Sequence, residues 1–561
     1  MLTFSETKTK VYMKKSLFRL TDLLELCLAY SFCFSLNLLM DYAKTLDLDA
    51  YILKAFLKNF IDYQPLIVSL FTFIVIAFHY QMLERKKAEI FCRILVGGTV
   101  FNIAIRYMLD CISVLIFVYL LSVLINFYLG FDLAYNFYLV LIFATYILIS
   151  ARRYGSMKIF KFIISKIFLR KAILGICVML LLCMANYITF TAARSILSTF
   201  QGYQETKYVN QEGVYIANLD PDSHIDMGIV GENGIQAVYD YLNSNFKYAF
   251  YTDGFIISVP NSEDMEISLC YINEQYYRLN GFELSQGTDL YFDYPLEGEI
   301  PVLIGKGLSK TYPVGSTIKI EKSVLGRPLT LKVQGVLKQN AYHSNYYALN
   351  SKTYYNFSIL FPVNEDFINH ANMDIQFNGL MDITLLDTSK EEIENLSEII
   401  KDNLGLRFNF FSQEENYDYF NEYYLHSLKI IFITTLILLI VITCLSVWNA
   451  LVSVRLMLKD FTINLLVGLS YPKLKKIFYG YFGILSLANV TLIFTFTAFN
   501  RYGCWLRKDA TFATYGLFGL IGMDWLALLL VVVSDIVIGM IVVESMLWKI
   551  KKVPISLGVL Q

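Results

Sequence analysis

Charge is scarce in this chain. Only 17% of its 561 residues are Asp, Glu, Lys or Arg, against 56% hydrophobic residues and a mean hydropathy of +0.49. A soluble globular chain carries about 25% charged residues, so that class is excluded. Histidine (5) and cysteine (9) are few, and no pair stands at zinc-ligand spacing, so no metal site is expected. Six cysteines (Cys27, Cys33, Cys111, Cys177, Cys183, Cys444) fall in or beside apolar runs, where a small hydrophobe explains them. A disulfide framework is absent, and a single Cys270–Cys504 bridge stays open. A phosphate-cradling loop needs Gly-x-x-x-x-Gly-Lys-Ser/Thr opening a helix, and Gly305-Lys306-Gly307 has neither the spacing nor the helix. No nucleophile or acid–base constellation stands out, and no nucleic-acid partner is expected. The chain is therefore read as carrying no catalytic residues and no cofactor of its own. Its basic start, followed by Leu23 to Met40, lacks a small-residue cleavage site and reads as a retained signal anchor.

What is abundant is apolar length. Uncharged runs of 19 to 25 residues lie between Asp110 and Asp132, Asp132 and Arg152, Lys171 and Arg194, Lys429 and Arg455, and Lys476 and Arg501. Each is long enough to cross about 30 Å of hydrocarbon as a helix. With Leu23–Met40, Pro65–Leu83 and Trp525–Trp548 the count is eight spans. Residues 201–425 hold 14 Lys and Arg against 32 Asp and Glu, while basic residues crowd every second connection between spans. Examples are Arg85, Lys86, Lys87 and Arg93 after the second span and Arg455, Lys459, Lys473, Lys475 and Lys476 after the sixth. By the positive-inside rule the chain is a multi-pass plasma-membrane protein with both termini cytoplasmic and 201–425 extracellular. Arg501, Arg507 and Lys508 are the one discordant set.

The chain also repeats itself. Ile94-Leu-Val-Gly97-Gly-Thr99-Val-Phe-Asn-Ile103 aligns without gaps with Leu465-Leu-Val-Gly468-Leu-Ser470-Tyr-Pro-Lys-Leu474, and on the same register Glu89 faces Asp460. Each copy follows one span and precedes a pair, which predicts two four-span units. The expected boundaries are a first unit over 1–171, a fifth span and stalk over 172–200, an outer domain over 201–425, and the sixth to eighth spans over 426–561. The outer segment of the first unit, about Asp41 to Gln64, is short.

Within 201–425, strands are expected at Gly213–Ala217, Phe255–Val259, Pro301–Ile304, Thr317–Ile320, Leu329–Leu337 and Asp382–Leu386, and helices at Gly234–Leu242 and Glu391–Asn403. The second helix has Ser389 and Glu392 as a capping box and Gly405 past its end. The fold class is α-helical polytopic membrane protein with one α+β outer domain. Glu414 to Leu425 is expected to run into the sixth span as a stalk.

Glu84-Arg85-Lys-Lys-Ala-Glu89-Ile followed by Leu95-Val-Gly97-Gly-Thr99 resembles the E-R-x-x-E-I … L-x-G-x-S signature of FtsX/MacB-like ABC transporter permeases. Arg455, then Leu466-Val-Gly468-Leu-Ser470, repeats it more loosely. Pro301–Leu308, Val314–Ile320 and Val333–Leu337 resemble the MacB-type core outside the membrane. The first copy lacks the usual basic continuation at Phe101-Asn-Ile-Ala, and the second lacks the Glu-Arg opening. The resemblance implies that Glu84, Arg85, Glu89, Gly97, Thr99, Arg455, Asp460, Gly468 and Ser470 meet a cytosolic ABC ATPase, a dimer that holds ATP-Mg. It implies mechanotransmission in place of a channel, and the subgroup most similar is the Gram-positive bacteriocin-associated or peptide-antibiotic-resistance permeases.

Two further features have two readings each. Asp535 near the middle of the last span is a structural acid paired between helices or a proton or cation relay. The tyrosines 342, 346, 347, 354 and 355 are core residues or a patch for an amphipathic peptide. The functional expectation is an ABC permease for export, extraction or resistance to an amphipathic peptide or lipid-like molecule. The alternative is an ATP-independent bacteriocin immunity or sensor membrane protein.

Overall fold

The computed structural model describes residues 18–45, 51–86, 89–90, 92–93, 100–129, 136–154, 161–209, 211–220, 223, 232–257, 267–346, 349–412, 424–466 and 470–552. Six helices lead to the outer domain: α1 (Leu20–Thr45), α2 (Tyr51–Ile61), α3 (Gln64–Arg85), α4 (Val100–Tyr128), α5 (Phe137–Tyr154) and α6 (Lys161–Glu205). The segment between α1 and α3, expected to be short and outside, thus holds a helix, α2. Pro65 sits in the first turn of α3, where its missing N–H costs nothing. Helices α1, α3, α4 and α5 pack together around Leu26, Tyr30, Phe34, Phe71, Tyr107 and Phe143. Polar side chains inside this bundle find one another, as a hydrocarbon surround requires. Asn37 Nδ2 donates to Asn136 Oδ1 at 2.7 Å, Tyr138 OH donates to Asn37 Oδ1 at 2.8 Å, and His79 lies between the hydroxyls of Tyr30 (3.2 Å) and Tyr107 (3.1 Å).

The outer domain follows in chain order as β1 (Tyr215–Leu219), α7 (Glu232–Asn245), β2 (Lys247–Ala249), β3 (Tyr251–Ile257), β4 (Ile267–Ile272) and α8 (Glu274–Asn280). Next come β5 (Leu284–Gly287), β6 (Glu299–Ile304), β7 (Thr317–Ile320), β8 (Leu329–Leu337), β9 (Tyr342–Ser344), β10 (Lys352–Tyr354) and β11 (Ser358–Pro362). The domain closes with α9 (Glu365–His370), α10 (Met373–Met381), β12 (Thr384–Leu386), α11 (Lys390–Leu404) and β13 (Phe408–Ser412). The large sheet runs β3-β4-β11-β6-β8-β5, with β7 on β8; β4 with β11 and β6 with β8 are parallel pairs. A second sheet is ordered β13-β1-β12-β2, and β9 and β10 form a hairpin. β7 and β8 coincide with their expected bounds, and α11 has the capping box at Ser389 and Glu392 and a left-handed Gly405 (φ 67°). Cys270, in the middle of β4, is a buried free thiol and Cys504 a half-buried free thiol, which removes the open disulfide.

The chain re-enters the bundle as α12 (His426–Leu456), α13 (Leu458–Leu466), α14 (Tyr471–Leu506) and α15 (Gly522–Lys551). Leu425 already has helical backbone, φ −66° and ψ −35°. The rest of the expected stalk, up to residue 423, lies outside the described residues. α12, α14 and α15 pack with α6 as a second group of four. Among the described residues seven helices, not eight, are long and apolar enough to cross a membrane. The difference is α5: its apolar stretch, Phe137–Ala151, rises only about 22 Å, short of the ~30 Å hydrocarbon core.

Candidate functional site

The segment after α3 and helix α13 after α12 leave the bundle at the same end. The ring of Phe78, two turns before the end of α3, meets that of Trp448, two turns before the end of α12, at 6.0 Å. α6 runs into the outer domain and α12 comes out of it, so this end is the one far from the domain. There Glu89, Ile90, Cys92 and Arg93 are helical. Lys86 is buried and ion-paired with Asp22 of α1 (3.0 Å) and Glu89 (3.4 Å), and Glu89 holds Arg93 at 2.7 Å. The helical turn is thereby tied to the start of α1.

Of the expected coupling residues, Glu84 is half-buried in the last turn of α3, and Arg85 ends that helix with its side chain outside the described residues. Glu89 is engaged as above. Arg455 is exposed in the last turn of α12, and Asp460 lies on α13 with its side chain outside the described residues. Ser470 stands at the N-cap of α14 with extended backbone and no side-chain cap bond. Gly97, Thr99 and Gly468 lie outside the described residues. Glu544 of α15 receives Lys475 (2.6 Å) and Tyr479 OH (3.0 Å) of α14, which ties the two helices together.

Asp535 is 1% exposed, about 16 Å along α15 from Asp524. Its Oδ2 accepts from Asn186 Nδ2 of α6 at 3.1 Å and from Ser486 Oγ of α14. The acid is thus a polar joint among three helices.

The strongest charge cluster was invisible in the sequence. Asp524, fully buried at the start of α15, binds Arg194 of α6 (3.0 Å) and Arg501 of α14 (3.1 Å). One member of the discordant basic set is therefore a structural partner, not an orientation signal. Just above, α6 enters the domain as a stalk. Ser198 Oγ donates to Asn350 O at 3.0 Å, Gln201 Nε2 to Tyr342 OH, and Ser344 Oγ to Glu205 Oε2 at 2.8 Å. Gly202 passes so close to the domain that a Cβ there would lie 2.1 Å from Leu349 O. Lys352, buried on β10, lies 3.8 Å from Glu205 and 4.4 Å from the Tyr342 ring centroid; burial pushes its ammonium down to about 8. Between the last stalk turn and the loops of β5, β8 and β9 lies a cleft of about 390 Å³, lined by Glu205, Phe282, Glu283, Lys338, Tyr342 and His343.

The α14–α15 loop is the second attachment, and the sequence offered little about it. Thr511 O accepts from Tyr354 N (2.9 Å), Ala513 O from Asn356 Nδ2 (2.9 Å), and Tyr515 exchanges two hydrogen bonds with Asn340. Ala513 joins the domain's main core, and Trp505 packs on Phe357 at 4.9 Å. These contacts also decide the tyrosine run. Tyr346, Tyr354 and Tyr355 are buried and Tyr342 packs on Tyr354, so the residues are core and junction; Tyr347 lies outside the described residues.

No protein-family model and no curated protein sequence matches this chain. Solved structures do. The periplasmic region of MacB from Actinobacillus actinomycetemcomitans matches at 15% identity and TM-score 0.26, covering 39% of this chain and 98% of that one. The extracellular domain of the noncanonic ABC-type transporter YknZ from Gram-positive bacteria matches at 16% identity and TM-score 0.22, covering 35% of this chain and 99% of that one. The structural neighbours of this chain are thus extracytoplasmic domains of MacB and of the ABC-type transporter YknZ.

Proposed function

We propose that the chain is the permease subunit of an FtsX/MacB-like ABC transporter, in which a separate cytosolic ATPase moves the outer domain. The carrying observation is geometric. The two short inter-helix segments emerge at one end of the bundle, and α6, a single helix of 45 residues and so about 67 Å long, joins that end to the domain at the other. A helix of that length, hydrogen-bonded along its axis, transmits displacement without a channel. In this reading Glu84, Arg85, Glu89, Gly97 and Thr99 form one grip and Arg455, Asp460, Gly468 and Ser470 the other, one for each half of an ATPase dimer that holds ATP-Mg. The charge pattern supports placing the grips in the cytosol. The acidity of the domain supports a cationic, amphipathic peptide as its ligand.

The test is co-purification of the full chain with a nucleotide-binding partner. Gly97→Glu and Gly468→Glu are expected to abolish association without loss of membrane insertion, and the ATP turnover of the complex is expected to respond to cationic peptides. Unchanged co-purification of both variants overturns the coupling assignment, and no ATPase partner at all favours ATP-independent immunity or sensing.

A further inference from the structure

Helix α14 outlasts the hydrocarbon. Trp525 and Trp548 stand 23 residues apart on α15, a rise of about 34 Å, so they sit as an aromatic pair near the two membrane boundaries. Asp524 meets Arg501 at the domain-side boundary, and α14 continues beyond it to Leu506. The chain then turns back. The Phe518 ring reaches Phe494 of α14 at 5.5 Å, and Phe494 reaches Trp525 at 5.8 Å, so the tip of the loop returns to boundary level.

Its side chains face away from the protein. Leu517 is 67% and Phe518 56% exposed, and on α14 Phe496 and Phe499 are exposed as well. Phe518 holds φ 58°, a left-handed conformation costly for a bulky residue, and is fixed there by Thr514 Oγ1 donating to Gly519 O at 2.6 Å. Arg507 is exposed and Lys508 half-buried at the end of α14, and neither enters an ion pair among the described residues. They are the two members of the discordant basic set that Asp524 does not explain.

We propose that the 507–521 loop is a lipid-binding element seated in the domain-side leaflet. Leu517 and Phe518 lie among acyl chains, and Arg507 and Lys508 meet anionic headgroup phosphates. Lipid is the occupant because the patch continues through Phe494 and Trp525 into the lipid-facing surface of the spanning helices, and its basic rim complements anionic headgroups. The inner side of the same loop carries the hydrogen bonds to Tyr354, Asn356 and Asn340. The loop therefore references the outer domain to the depth of the leaflet, independently of any ATPase.

The experiment places a nitroxide amino acid at position 517 of the full chain in phosphatidylcholine vesicles, with and without phosphatidylglycerol, and compares collision with oxygen and with a water-soluble nickel chelate. A label at exposed Tyr291 of the outer domain is the aqueous control. Oxygen is expected to dominate at 517 and nickel at 291, with 517 deeper in the anionic vesicles and that difference lost in R507Q/K508Q. Nickel dominance at 517 overturns the proposal, as does spin–spin broadening at full labelling, which marks a second copy of the chain on the patch. A depth that ignores both lipid charge and the R507Q/K508Q change overturns the headgroup contact.

Discussion

Gly202→Ala tests whether the stalk and the outer domain move as one. An ordinary carbon–oxygen contact needs about 3.4 Å, and the added Cβ would lie 2.1 Å from the carbonyl oxygen of Leu349. The obstacle is backbone of a buried residue, so the stalk must retreat by roughly 1.3 Å. That retreat weakens the flanking hydrogen bonds from Ser198 to Asn350, Gln201 to Tyr342 and Ser344 to Glu205. At about 1 kcal/mol each the expected loss is about 2–3 kcal/mol of docking free energy. Hydrogen exchange of the amides in 342–346 and 349–354 reads this directly: protection falls about 30- to 150-fold, since ~1.4 kcal/mol is tenfold. Gly480→Ala on α14 is the control, because nothing lies within 4 Å of its Cβ position. It is expected to be neutral or slightly stabilising. A change under threefold at Gly202, equal to the control, refutes the clamp.

Asp524→Asn removes the acceptor of two guanidinium groups at a fully buried position and is expected to cost about 3–5 kcal/mol. Thermal unfolding in nanodiscs checks it, and a loss below about 1 kcal/mol contradicts the joint. His343, walled by Tyr251, Tyr276 and Tyr346, has its imidazole pushed down to about 4 by burial. Between its folded value and about 6.5 only the unfolded state binds the proton, so stability falls on acidification, by about 2 kcal/mol at pH 5. His343→Gln should flatten that slope, measured by denaturant unfolding at pH 7 and pH 5. Ser389→Ala breaks the capping box of α11 and is expected to cost about 1 kcal/mol, seen as faster exchange confined to that helix.

How much was legible follows the range of the interactions. Ser389, Glu392 and Gly405 act within one turn, and β7 and β8 alternate apolar and polar residues, so both were readable from local pattern. β4 was missed for the opposite reason. All six of its residues are buried, as befits a strand flanked on both faces in a mixed sheet, so no alternation exists to find. β11 is the same case. In the candidate site, the Asp535 joint showed itself as a charge in an apolar run, but its partners Asn186 and Ser486 did not. Arg194, Asp524 and Arg501 converge from three helices across more than 300 residues of sequence. The loop 507–521 works mainly through backbone carbonyls, which any sequence supplies, and only its stray charges hinted at a role.

The distribution of these joints decides which parts can slide. α6, α14 and α15 are tied by Asp524 near one boundary and by Asp535 at mid-depth, and the domain is bonded both to the α6 stalk and to the α14–α15 loop. Displacing α6 alone would take Arg194 from the buried carboxylate of Asp524 and Asn186 from Asp535, leaving each acid one of its two side-chain partners and Arg194 without its counter-ion. The junction with the first four-helix group is of another kind. It is built on ring packing, Phe78 on Trp448 and Phe60 on Tyr187 at 5.8 Å, with Phe56 of α2 against Ala192 and Ile431. Such contacts re-form after a small shear, whereas directional ion pairs do not. In the proposed cycle, force applied at α13 therefore carries the second helix group and the outer domain as one body, force applied after α3 falls on the first group, and the yielding plane between them is the aromatic seam along α2 and α3.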